Sequence, residues 1–155
     1  MARRTCTYLL SIGFCIAAFG LELGAQDISG YQPLRWDVLA QVEFEIRMDP
    51  NADMEVEIPR FHEQVLSLDG AEVSLQGYMI PTDITGSYYV LSAYPYASCF
   101  FCGAAGPETV IDLEIKGERR FSTDELLRFC GILRVNRSDV YQLPYRLESA
   151  SLCKD

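Results

Sequence analysis

LSLDGAEVSLQGYMIP, residues 66–81, decides the fold class. Val73, Leu75, Gly77 and Met79 fall on alternate positions, the period of a strand with one face turned to a core. Pro81 ends the run, because a proline has no N–H to give to a ladder. Asp69-Gly70 is a turn pair of the hairpin kind, set between two alternating runs. A glycine inside a strand weakens it unless the strand must bend sharply. Gly77 therefore marks a bulge or tight bend, as a barrel corner requires.

The same alternation recurs on both sides of this stretch. Toward the N terminus, Val42, Phe44 and Ile46 oppose Glu43, Glu45 and Arg47, which predicts a half-buried strand with one charged face. In the following DPNADMEVE, Asp49, Asn51 and Asp53 sit at alternate positions as in a calcium loop. Met54 stands where that loop needs glycine and Arg60 where it needs a bidentate glutamate, so a Pro-Asn turn between strands is the better reading. Toward the C terminus, SYYVLSAYP (87–95), TVIDLEIKG (109–117), LLRFCGILRVNR (126–137) and YRLESASLC (145–153) read as further strands, with Gly131 inside one of them. In TVIDLEIKG the carboxylates Asp112 and Glu114 alternate with Ile111, Leu113 and Ile115, the pattern of a solvated strand face. Five or more strands with internal glycines and no long amphipathic helix predict an all-β domain, a small OB-like antiparallel barrel, with a β-sandwich as the alternative.

MARRTCTYLLSIGFCIAAFGLELGAQ opens the chain with Arg3 and Arg4, an apolar run and small residues, the pattern of a signal peptide over 1–25. The apolar run is too short for a comfortable membrane span, and no membrane insertion is expected after cleavage. Residues 26–35 read as an N-terminal leader strapped over the surface, and 36–155 as one domain in which Trp36 is a core anchor. An exported location follows, periplasmic or extracellular. Loss of Arg3, Arg4 and Glu22 with the signal moves the net charge from −9 to −10. Such acidity excludes a nucleic-acid partner, since phosphates reward Lys and Arg, and between Ser67 and Lys116 the chain has neither.

YPYASCFFCGAAGPETV, residues 94–110, carries the chemistry. Its Tyr94, Tyr96, Phe100, Phe101, Gly103, Gly106 and Pro107 make a candidate binding loop, and Cys99 and Cys102 stand at C-x-x-C spacing. Three readings of the pair are open. It can bind a metal, most simply zinc, although a structural zinc site takes four ligands and only Cys130, Cys153, Glu108 or His62 are at hand to complete it. It can be a redox dithiol, although Gly103, Gly106 and Pro107 break the helix such a motif normally opens. It can be structural, as a Cys99–Cys102 disulfide or with either residue bonded to Cys130 or Cys153. His62 otherwise reads as a rim residue. No nucleophile–base constellation occurs, which argues against an enzyme. Asn136-Arg137-Ser138 spells a glycosylation sequon.

Trp36-Asp37-Val38-Leu39, Leu68-Asp69-Gly70, Gly77-Tyr78-Met79-Ile80-Pro81 and Tyr89-Val90-Leu91 leading into the cysteine loop resemble the bacterial envelope proteins of domain-of-unknown-function family 3299, over residues 36–153. In the commoner pattern of that family a histidine follows the loop cysteine by two residues. Here Phe101 takes its place, and Cys102, one position on, has no counterpart. The resemblance implies an envelope location and the fold class. Together these readings give two expectations: a zinc-binding accessory of an envelope transport or metal-handling system, or a non-enzymatic structural or interaction module whose aromatic loop faces an envelope protein partner.

Overall fold

The computed structural model describes residues 30–49, 53–82, 88–115 and 120–153. The expected signal peptide over 1–25, residues 26–29 of the expected leader and the tip of the expected Pro-Asn turn lie outside them. Among the described residues no helix is long and apolar enough to cross a membrane.

Among the described residues eight strands form two sheets. β1 (Gln32–Pro33) is followed by a single helical turn, α1 (Trp36–Leu39), and then by β2 (Val42–Asp49) and β3 (Met54–Phe61). A second turn, α2 (Glu63–Leu66), leads into β4 (Glu72–Pro81), β5 (Tyr89–Ser92), β6 (Val110–Ile115), β7 (Leu126–Val135) and β8 (Tyr145–Leu152). The larger sheet runs β1-β4-β5-β6-β8-β7, and β7 pairs back onto β4. Five strands, β4 to β8, thus close a barrel, and the sandwich alternative falls. One pair of this mainly antiparallel barrel departs from the pattern: β6 and β8 run parallel, Asp112 facing Arg146 and Leu113 facing Leu147. Two strands separated in sequence by β7 can close the ring only in that sense, and the order is that of an OB barrel.

Gly77 sits where β4 changes partners, from β7 (residues 72–78) to β5 (residues 78–81). A Cβ there would lie 2.6 Å from the Ser92 carbonyl oxygen and 2.8 Å from Leu91 Cγ, so only glycine lets the strand coil this tightly. Gly131 lies at a register shift between β7 and β8. Inside the barrel, Leu75, Met79, Ile111, Phe129, Leu133 and Tyr145 are buried. Tyr89, Phe121 and Phe129 meet edge to face at 5.4 and 5.6 Å, the preferred geometry of aromatic pairs. Residues 32–34 lie along the barrel: β1 adds to β4 as a parallel strand, and Leu34 N donates to the Ser74 carbonyl at 2.8 Å. Trp36 is half-buried against the core, and its indole N–H donates to the Gln76 carbonyl at 2.8 Å. The Cys130–Cys153 disulfide joins β7 to the residue just past β8. That pairing, absent from the sequence alternatives, removes both sulfurs from any metal ligand set.

Two other expectations change. Asp69-Gly70 joins no hairpin, because residues 63–66 are the helical turn α2. The pair instead closes the end of the barrel: Gly70 N donates to the Leu133 carbonyl at 2.8 Å, and the Asp69 carboxylate accepts from Val135 N at 3.1 Å. β2 and β3 form a two-stranded arm outside the barrel, and the half-buried face expected of β2 covers Val42 and Phe44 but stops before Ile46. Their register explains why. Ile46 stands opposite Glu57 and Met48 opposite Glu55, while Arg47 stands opposite Val56 and Glu45 opposite Ile58. Opposite residues share a face, so neither face beyond the base is uniformly apolar. The base packs on the barrel core, with Phe61 against Tyr145 at 5.6 Å, while farther out Ile46 is 62 % exposed.

Candidate functional site

The loop between β5 and β6 is closed at its neck by a hydrogen bond from Ala93 N to the Thr109 carbonyl, 2.9 Å. Three single 3-10 turns, Tyr96–Ser98, Phe100–Cys102 and Pro107–Thr109, shape it. Gly103 ends the second in the left-handed conformation at φ 71°, which glycine adopts without strain. Tyr96 N donates to the Asp124 carboxylate at 2.6 Å and fixes the loop to the segment before β7. Cys99 is fully buried and Cys102 exposed, and both are free thiols. The Cys102 thiol donates to the Tyr96 carbonyl at 3.0 Å. Local desolvation and the neighbouring Cys99 hold its pKa above that of an ordinary thiol, which works against a nucleophilic thiolate.

The structure separates the expected metal ligands. Cys130 and Cys153 are bonded to each other. His62 is exposed at the entry to α2, where its backbone N–H donates to the Gln41 carbonyl at 3.1 Å. Glu108 is half-buried, its carboxylate beside Gly106. Among the described residues no cluster of three His, Cys, Asp or Glu could hold a metal ion. Cys99 and Cys102 supply half of a tetrahedral thiolate set.

The loop aromatics also divide. Phe100 and Phe101 meet edge to face at 5.4 Å and, with Pro107, wall a groove of about 580 Å³ between barrel and arm. Tyr94 and Tyr96 are exposed but lie off it. The far wall is the β7–β8 connection, residues 139–144, and the near rim is Thr82 and Tyr88 from the β4–β5 connection. Asn136 folds the far wall. Its side-chain amide donates to the carbonyls of Asp139 and Leu143, and its oxygen accepts from Asp139 N. The sequon asparagine is thus occupied in holding its own loop. Tyr141 reaches across from this wall to the arm, donating to the Asp49 carboxylate at 2.6 Å.

At the groove floor lies a group that the sequence pattern placed on a solvated face. Asp112 is only 5 % exposed, accepts a hydrogen bond from the Tyr88 hydroxyl, and stands 3.9 Å from the Arg146 guanidinium. Burial raises its pKa against the opposing pull of Tyr88 and Arg146. The Tyr88 hydroxyl is pushed up in turn, by desolvation first and the carboxylate second. Arg146 also donates to the Gln142 side-chain oxygen at 2.6 Å, so the floor is a fixed polar patch under apolar walls. Alternation alone did not find it, because both faces of β6 are covered: the barrel interior lies on one side, the groove elements on the other. The available signal was a single carboxylate in the apolar run Val110-Ile111-Asp112-Leu113.

No protein-family model, curated protein or solved structure matches this chain.

Proposed function

We propose that this chain is an exported, non-catalytic binding module whose groove between barrel and arm seats an envelope protein partner. One observation carries the reading. The groove is lined by the β4–β5 connection, by Asp112 of β6 and by the β7–β8 connection, and these are the parts of an OB barrel that customarily take a ligand. The Cys130–Cys153 disulfide supports an oxidising compartment, as do the signal-like N terminus and the resemblance to family 3299. The test places a photo-crosslinking residue at Tyr141, in the groove, or at Leu126, 52 % exposed and off it. Each variant is irradiated in the exporting cell. Adducts of one defined mass from position 141 and none from 126 support the module. Equal adducts from both positions, or none from 141, overturn it. The mature chain is expected to begin at Gln26, which N-terminal sequencing of the exported protein checks.

The zinc reading is supported by one specific observation: Cys99 and Cys102 are both free while Cys130 and Cys153 are paired. In that reading the two thiols, with donors from a partner or solvent, hold the metal and the module serves a transport or metal-handling system. Elemental analysis of protein purified without chelator decides it. About one zinc per chain, with thiols that become alkylatable on chelation alone, sustains the metal site. Thiols alkylatable without chelator, in metal-free protein, sink it.

A further inference from the structure

The groove has an unusual border. Of the arm residues that line it, only Phe44 comes from β2, whereas Met54, Glu55, Val56, Glu57 and Pro59 come from β3. These β3 residues belong to both faces of the ribbon: Glu55 and Glu57 share a face with Met48 and Ile46, Met54 and Val56 with Asp49 and Arg47. A cavity that touches both faces of one strand lies along its edge. Among the described residues β3 pairs only with β2, and none of them adds a third strand to its outer edge. Such an edge is a template for an added strand, and from Met54 to Pro59 it runs about 20 Å.

Charge selects what can add. Glu55, Glu57, Asp112 and Asp139 line the groove against the single Arg146, in a chain of net charge −9. A second copy of this acidic chain is repelled, and so is any anionic ligand. The walls beside the edge, Phe100, Phe101 and Val140, are apolar and take side chains of the opposite alternation. We infer that the occupant is an extended polypeptide segment that alternates basic and apolar residues and adds to β3 as the third strand of the arm. The inference rests on the groove being the binding seat, and it names the class of partner.

The probe is a synthetic capped octapeptide alternating lysine and valine, titrated into the isotopically labelled mature protein and followed by amide shifts. Two controls accompany it: the same peptide with glutamate for lysine, and the lysine peptide N-methylated at alternate residues. The expected result is saturable shifts confined to β3 and residues 139–146 with the lysine peptide, and none with the glutamate peptide. N-methylation removes backbone donors without touching charge, and is expected to weaken binding about tenfold or more. Glu55→Lys with Glu57→Lys, on exposed positions that leave the barrel intact, is expected to weaken it by a similar factor. Equal binding of the methylated peptide overturns strand addition, as do shifts that map elsewhere or no binding at all. Self-association through β3 in the absence of peptide gives the edge to a second copy and overturns the basic occupant. If position 141 still gives its defined adduct in cells while the peptide fails, the groove remains the seat and only the basic strand is lost. If both fail, the module reading falls with it.

Discussion

β7 and β2 both alternate apolar with polar residues, yet β7 buries Phe129 and Leu133 completely while β2 leaves Ile46 62 % and Met48 56 % exposed. The difference lies in what each strand is paired with. β7 sits between β4 and β8, whose inward residues share its phase: Leu75 stands opposite Phe129 and Leu147 opposite Leu133. β2 meets β3 in a register that sets its apolar residues beyond the base against glutamates. A strand's own pattern states which residues can be buried together. The partner's phase decides whether they are.

The sharpest test of this contrast is in the barrel. Phe129→Ala is expected to cost about 4 kcal/mol of unfolding free energy, the range for emptying a buried aromatic site, measured by urea denaturation. A cost near 1 kcal/mol would mean that the barrel is as loosely packed as the arm. The Cys130–Cys153 bridge closes a loop of 23 residues within the barrel. Cys153→Ser with Cys130→Ser is expected to lower stability by about 3 kcal/mol, with the groove and arm amide shifts unchanged.

Acid and base separate the regions in the opposite sense. The Asp112 carboxyl, at the barrel mouth, is raised by burial. Its contribution to stability is therefore full below the ordinary value of about 4 and is lost as pH rises through the folded value. Glu45, on the arm, is lowered to about 2 by hydrogen bonds from Arg47 and Arg60. Its contribution is present above the ordinary value and is lost as pH falls through about 2. Asp112→Asn, which keeps an acceptor for Tyr88, is expected to remove the decline in stability above pH 4, as read from urea midpoints across pH. Persistence of that decline would place its source outside the groove floor. Last and smallest, Ile46→Ser is expected to change stability by no more than about 0.5 kcal/mol. A cost above 1.5 kcal/mol in the same denaturation assay would mean that the arm's apolar tip is covered in solution.

Much of the barrel was legible in local pattern. Val73, Leu75 and Met79 share the buried face that their spacing implies, Gly77 marks the bend, and the runs at 126–135 and 145–152 are strands. What local pattern lacked was pairing. It could not give the parallel meeting of β6 with β8, nor the β2–β3 register that frees the arm, because both depend on residues distant in sequence. The short helical turns α1 and α2 escaped because each spans four residues, too few to show a 3.6-residue period. The cysteine loop stands out by its composition, and three of its residues, Phe100, Phe101 and Pro107, line the groove. The other half of that groove was invisible for the same reason as the pairing: Asp112, Tyr88, Arg146 and the arm come together only in the closed ring.

The parallel closure has a consequence for synthesis. β8, which joins β6 to β7 and so completes the ring, comes last in sequence among the five barrel strands, and Cys153 directly follows it. A chain emerging N terminus first can pair β4 with β5 and β5 with β6 as they appear, but it has no closed core until β8 is free. Such late, non-local pairing folds slowly and leaves apolar strands uncovered meanwhile. A chain of this order keeps an open, threadable state until β8 has emerged, and the ring seals only then.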